Sequence, residues 1–592
     1  MANTNTKSLT LCSLGLWLAF SSVLGGCKVS QKDSPNNEVL KPAKLQPPAK
    51  AIKDLKKSEA IHAEIKKQIK NYFLLGLKSK DVSLLQKSLS KDFVGRWFAP
   101  QADDWEAEES YRYWNAKPDE SSKFLSRDTF IEALQTSLNS WVLVERTKFS
   151  VFENQISLSA KEGFLRAHFQ ISGMKADRSR LELHGTLMTS VANNSSDERW
   201  KITALDFESA RWFESSLPIF RDIGPQSGFS FTPSAEAKQL VQDTIDERVL
   251  VTGGGITVLD VNKDDYWDLI ATYANRETRL FINDGDGGFV VQPTPAFDNA
   301  NEVSKFFIWI DLDNDGQEEL VGSHSFPAGE TKGEFGLYRV TTKGEIKRKN
   351  KALRFSHPKW MKRISFESIV ACDVNQDERI DLIFTGYSHL NSKDHHNLMN
   401  ANDGLRNLVF INQGNLKFTE ESMKRGLVHT QYSFVSACHD FDKDGDPDIF
   451  IGNDYGKNNF YENRGNGYFV HDTKHPFHLG SSFSMGVSIA DYDNTGKYSV
   501  SVSNMYSHAG HRIIPLADEL KDQKKDFMLL VKGNALYENQ DGKWQNIAKD
   551  RIVDDAGWAW GNIFFDIDND GDKDLFVTNG YTTHSDPHLP DY

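Results

Sequence analysis

Asp440-Phe-Asp442-Lys-Asp444-Gly445-Asp446-Pro-Asp448 runs directly into the apolar stretch Ile449-Phe-Ile-Gly-Asn453. Carboxylates stand at the first, third, fifth and ninth places of a short loop, with glycine at the sixth. Aspartates this close in sequence repel one another unless a cation collects them. Hard oxygen donors at alternating places suit calcium, which takes about six to eight oxygens. The loop recurs. Asp566-Ile-Asp568-Asn-Asp570-Gly571-Asp572-Lys-Asp574 and Asp311-Leu-Asp313-Asn-Asp315-Gly316-Gln317-Glu-Glu319 are close copies. Asp260…Asp268 and Asp373…Asp381 are looser ones, and Asp491…Ser499 is worn.

Around the loop a longer unit repeats. Phe418–Gly426 opens it, the loop and the strand Ile449–Asn453 follow, and the hairpin Asn459-Phe-Tyr-Glu-Asn463-Arg-Gly465-Asn-Gly467-Tyr-Phe469 closes it. Matching hairpins are Leu280–Phe289, Phe410–Gly414 and Leu536–Gly542, and Phe220–Gly228 matches the opening. Their Asn and Gly residues are those that tight hairpin turns demand. Loop starts at 260, 311, 373, 440, 491 and 566 give spacings from 51 to 75, the long ones filled by insertions such as His389–Leu405 and Tyr506–Phe527. Strand, loop, strand, hairpin, strand makes a four-stranded antiparallel sheet of about 50 residues, too small to bury its own faces; radial stacking solves this. The fold class expected is mainly β, a six- or seven-bladed β-propeller over 217–592. An EF-hand needs Glu at its twelfth place between helices; here that place holds Gly322, Ile451 or Val577 in β-rich flanks.

These loops, each followed by an apolar strand, resemble the FG-GAP/VCBS repeats of integrin-α-like propellers. Gly254-Gly255-Ile-Thr-Val-Leu-Asp260 and Trp560-Gly561-Asn-Ile-Phe-Phe-Asp566…Asn579-Gly580-Tyr581 resemble the cartilage-acidic-protein (ASPIC/UnbV-related) branch. The resemblance implies calcium held by the first, third, fifth and ninth side chains and the seventh backbone carbonyl. In this chain those are Asp260, Asn262, Asp264, Tyr266 and Asp268; Asp311, Asp313, Asp315, Gln317 and Glu319; Asp373, Asn375, Asp377, Arg379 and Asp381; Asp440, Asp442, Asp444, Asp446 and Asp448; and Asp566, Asp568, Asp570, Asp572 and Asp574. About five calcium sites follow. The loops at 260 and 373 put Asp265 and Glu378 where glycine is expected, and Thr495 and Ser499 remove two carboxylates from the sixth, which holds no ion. Ligands drawn from one short segment point to structural ions rather than a catalytic metal.

Ahead of the repeats, residues 1–26 read as a secretory signal: Lys7, then apolar Leu9–Leu24, then small residues. Leu24-Gly25-Gly26-Cys27 resembles the bacterial lipobox, which implies lipidation at Cys27 and a membrane anchor; an ordinary cleaved signal is the alternative. Lys28 favours the outer membrane by the same resemblance. Residues 27–57 form a Lys/Pro-rich tether. Over 58–215, Ile61, Ile65, Ile69, Phe73 and Leu77 mark a helix; Asp81 caps a second carrying Leu84, Leu85 and Leu89; Ser126 caps a third. After Trp141 the period becomes two, as in Phe164–Ile171 and Leu181–Leu187. This α+β order, with LKSKDVSLLQKSLSKDF early and RWKITALDF late, resembles the NTF2-like (SnoaL-like) cone fold. His168 and His184 fall on the polar face of their strands, so catalysis inside the cone is not expected.

The net charge of −14 excludes nucleic acid as a partner. Cys372 and Cys438, each just ahead of an aspartate loop, are expected as free thiols. Histidines gather in insertions: His389, His395 and His396; His471, His475 and His478; His508 and His511; His584 and His588. His508-Ala-Gly-His511 could hold a transition metal, but no cysteine or carboxylate is expected to complete it. No nucleophile elbow, phosphate loop or His-Glu-x-x-His occurs. The reading is a lipid-anchored cell-envelope protein whose calcium-stabilised propeller binds a protein or glycan without catalysis. The alternative is a polysaccharide lyase or hydrolase, resting on Tyr506, His508, His511 and Arg512.

Overall fold

A helix turns once in about 3.6 residues, so apolar residues at every fourth place drift around its surface. The first helical stretch absorbs that drift. α-Helix Leu55–Gln68 passes into a π-helical segment, Ile69–Leu74, and returns to α-helix over Leu75–Ser79. The wider turn keeps Ile65, Ile69, Phe73 and Leu77 all buried. The structure, a computed structural model, describes residues 45–580 apart from several stretches, the longest being 236–253 and 390–400. The signal, Cys27 and most of the tether lie outside the described residues, as do Phe220, Asp568, His395, His396, His584 and His588.

Asp81 caps helix Val82–Ser88 as expected, its Oδ1 accepting the Ser83 and Leu84 N–H groups at 2.8 and 3.4 Å. Leu89 does not extend that helix; it begins strand Leu89–Gly95 and enters the core from there. Ser126 precedes helix Arg127–Leu138, but its hydroxyl meets the Thr129 hydroxyl at 2.8 Å instead of a backbone N–H. Four long strands, Trp141–Ile156, Glu162–Lys175, Arg180–Ala192 and Lys201–Ser215, form an antiparallel meander within an eight-stranded sheet. Their inward residues, among them Leu165, Phe169 and Leu183, share one core with Phe73, Phe130 and Leu134 of the helices. β-Bulges in the long strands bend the sheet. This is an α+β arrangement, a bent, mostly antiparallel sheet packed on helices.

Beyond it the architecture is mainly β. Six units follow among the described residues, with first strands Ile256–Leu259, Val303–Ile310, Ile364–Cys372, Tyr432–His439, Gly486–Ala490 and Ala559–Phe565. Each first strand pairs antiparallel with the strand across its aspartate loop. First strands of successive units pack side by side, as the inner strands of propeller blades do. The first, fourth and fifth units are four-stranded sheets. The second and third join through Ser325↔Ser365 and Phe326↔Ile364 into a nine-stranded one. The sixth contributes two described strands.

One expectation is overturned. Cys372 and Cys438 are bonded in a disulfide, Cα–Cα 6.3 Å, and both are half-buried. Cys372 stands one residue and Cys438 two residues ahead of its loop, opposite Asp381 and Ile449, so the two side chains leave opposite faces of neighbouring inner strands and meet between them. The insertion after Tyr506 also has a structural role. Its helix His508–Ile513 lies on strand Trp141–Ile156 of the N-terminal domain. Arg512 fixes it there, pairing Nε and Nη2 with Glu59 at 2.9 and 2.8 Å and donating Nη1 to the Val151 carbonyl at 3.0 Å.

Candidate metal centres in the aspartate loops

All six loops share one backbone. The first aspartate accepts the fifth and sixth N–H groups, one on each oxygen. For Asp440 these are Asp444 and Gly445 at 3.1 and 3.0 Å; for Asp566, Asp570 and Gly571 at 3.1 Å each; for the worn Asp491, Thr495 and Gly496 at 2.9 and 2.8 Å. Two residues per loop are left-handed. The sixth place takes it with Gly316, Gly445, Gly496 and Gly571, but also with Asp265 and Glu378; the fourth takes it with Lys263, Asn314, Gln376, Lys443, Asn494 and Asn569. Glycine at the sixth place is the sequence signal; the fourth place shows no comparable mark.

The ninth residue begins the next strand. Asp268, Glu319, Asp381 and Asp448 are fully buried there. One oxygen of each accepts the second-place N–H of Val261, Leu312, Val374 or Phe441. The other oxygen of Asp268, Asp381 and Asp448 takes the N–H of the hairpin asparagine, Asn283, Asn412 or Asn463, at 2.8–2.9 Å. Burial, with neighbouring carboxylates adding to it, pushes Glu319, Asp381 and Asp448 up to about 7. The seventh residues Tyr266, Gln317, Arg379, Asp446 and Asp572 donate their N–H to the fifth aspartate.

These acids form clusters able to hold metal ions. Carboxylate oxygens of Asp311, Asp313 and Asp315 lie within 4.8 Å of one another, as do those of Asp440, Asp442 and Asp448. At the third place Asn262 and Asn375 turn their amide nitrogens to Asp264 and Asp377, at 2.7 and 3.0 Å. The buried Asp313 Oδ1 and Asn375 Oδ1 have no hydrogen-bond partner, which suits an all-oxygen donor set for a hard cation. Residues 260–322 and 440–499 match the FG-GAP-like repeat family. The C-terminal region carries FG-GAP-like repeats. No curated protein matches the chain. Solved structures similar to part of it include a conserved protein from Planctomyces limnophilus (15% identity, 25% of this chain and 94% of that one, TM-score 0.19). Others are a protein from Kribbella flavida (10%, 26% and 92%, TM-score 0.19) and a cystatin-like-fold protein from Nostoc punctiforme (10%, 25% and 90%, TM-score 0.17). At these TM-scores the likenesses carry no argument.

Two features of the FG-GAP-like loops were not legible in their spacing. Asn314 Nδ2 donates to the Glu378 carbonyl at 3.1 Å, Asn494 Nδ2 to that of Gly571 at 2.8 Å, and Gln376 Nε2 to that of Gly445. In each case the fourth residue of one loop holds the sixth of the next blade's loop. Second, Arg339 reaches over the loop at 311. Its Nε donates to Glu319 at 3.0 Å and its Nη2 to Asp315 at 3.1 Å and to Asp313. A guanidinium thus collects the acids of one of the closest copies.

Away from the loops, His508 does find a carboxylate. Asp555 Oδ2 lies 3.1 Å from His508 Nε2 and 3.5 Å from His168 Nε2, so the two domains meet at this cluster. His184, on the same outer sheet face, stands 3.4 Å from Glu182.

Proposed function

We propose that the loops beginning at Asp260, Asp311, Asp373, Asp440 and Asp566 each take a calcium ion. The ions stiffen a propeller of the cartilage-acidic-protein type, and the propeller binds a protein or glycan ligand without catalysis. The observation that carries this reading is the shared loop backbone: the worn copy at Asp491 keeps the turn without carboxylates at its fifth and ninth places, so those acids in the other five exceed what the turn requires. Lipidation at Cys27 and display from the envelope, at the outer membrane, complete the proposal. A disulfide between Cys372 and Cys438 supports a compartment outside the reducing cytosol. The engagement of Arg512 by Glu59 favours binding over polysaccharide cleavage, because the insertion a cleavage site would use faces the N-terminal domain.

Each occupied site adds about 2.7 kcal/mol when free calcium is a hundredfold above Kd. Calorimetric titration tests this directly. Asp448→Asn removes one ion from the stoichiometry, whereas Asp491→Asn leaves it unchanged. A titration without heat, together with a melting temperature indifferent to chelator, overturns the calcium reading.

A further inference from the structure

Three distant segments converge where the domains touch. His168 stands on the outer face of strand Glu162–Lys175, His508 begins the insertion helix His508–Ile513, and Asp555 precedes the sixth blade. One ligand atom from each lies within 4.8 Å of the other two. Around a tetrahedral zinc ion, bonds of about 2.0–2.1 Å set neighbouring ligand atoms about 3.3–3.4 Å apart. The Asp555 oxygen stands 3.1 and 3.5 Å from the two histidine nitrogens, on either side of that length.

We propose that His168, His508 and Asp555 form a site for a divalent transition metal of the zinc class that bridges the N-terminal domain and the propeller. Two borderline imidazoles with one hard carboxylate make a mixed set that zinc accepts and calcium, which takes oxygens, does not prefer. A second observation agrees. His508 Nε2 is buried and, close as Asp555 is, meets no hydrogen-bond alignment; His511 Nε2, one turn on, is also buried without a partner.

The cluster is also held in place. Arg512 ties the helix to Glu59 and Val151, and Ser507 Oγ accepts the Gly510 N–H at 3.0 Å. Tyr506 stacks its ring on His511 with centroids 4.8 Å apart, and its hydroxyl, 3.3 Å from His168 Nε2, yields that nitrogen when an ion binds. Side-chain exposures of 34% for His168 and 22% for His508 and Asp555 leave room for an ion to enter and for water to complete its shell.

The test uses the full chain in excess calcium, which keeps the aspartate loops occupied, with cobalt(II) as a coloured stand-in for zinc. The expected result is one cobalt per chain, with the visible absorption of a four-coordinate ion, displaced by zinc. His168→Ala, His508→Ala and Asp555→Asn each lose the band, and His184→Ala retains it. Asp555→Asn keeps the side chain's shape, so it decides the matter if an alanine variant does not fold. The proposal is overturned if the unaltered protein gives no saturable, zinc-displaceable band, or if Asp555→Asn gives the full band.

Discussion

Arg339 bonds the very acids, Asp313, Asp315 and Glu319, that are proposed to hold an ion in the loop beginning at Asp311. A half-exposed guanidinium contributes little by itself, about 1 kcal/mol or less, yet it competes directly for the same oxygens. Arg339→Gln is therefore expected to tighten calcium binding at this loop while lowering stability in chelator by about that amount. Calorimetry with and without chelator measures both. The histidines make a different prediction. His324 accepts the Gly336 N–H on Nε2 at 2.9 Å and is held by burial at about 3; burial likewise holds His62 and His475 at about 4. In the unfolded chain these rings take a proton near 6.5. Below that pH these rings bind more protons in the unfolded state, so their share of the stability is lost as pH drops from about 6.5 toward about 4, whereas the raised carboxyls of Glu319, Asp381 and Asp448 act in the opposite sense in metal-free protein. His475→Gln removes one histidine contribution, so over this range its melting temperature should lose less, or gain more, than that of the unaltered protein.

At the scale of elements, the blades are joined by more than packing. The disulfide closes a separation of 66 residues between inner strands, and the chain-entropy relation assigns such a closure about 4 kcal/mol. Cys372→Ser should cost up to that much in denaturant unfolding. The amide links between loops are smaller. Asn314→Gly keeps the left-handed backbone and removes only the bond to Glu378, so a loss of about 1 kcal/mol is expected from the same measurement. Much of this level was legible in sequence. Acids at alternating places, glycine at the sixth and Asn-Gly hairpins located the loops and the strands around them. What was not legible depended on neighbours: the spacing of Asn314 says nothing of the loop beside it, and two cysteines 66 residues apart look independent until inner strands align. The π-helical turn at Ile69–Leu74 is an intermediate case, since strict fourfold spacing already departs from the α-helical period.

For the whole molecule, the contact between domains among the described residues centres on the insertion helix His508–Ile513 and on Asp555. Periodicity placed His168 on the polar face of its strand, but polarity alone does not distinguish a wet face from one covered by another domain. His508 and His511 were visible as a pair; His168 and Asp555 were not grouped with them, because they arrive from another domain and a separate loop. Glu59→Gln removes the charge facing Arg512, whose side chain is only 11% exposed, and should weaken docking by about 1.5–3 kcal/mol. Limited proteolysis within the docked insertion Tyr506–Phe527 should then accelerate. If cleavage is unchanged, the pair does not govern docking.

Glu59 lies about one turn inside helix Leu55–Gln68, at the end of the domain where the preceding chain arrives. Tension applied through that preceding chain would divide: Ile52, whose N–H is bonded to the Ile156 carbonyl at 2.8 Å, passes part of it into the strand on which the insertion helix lies, and the guanidinium–carboxylate pair passes the rest to the propeller. The two domains would answer a pull as one lever arm, with the Glu59–Arg512 pair as its pin.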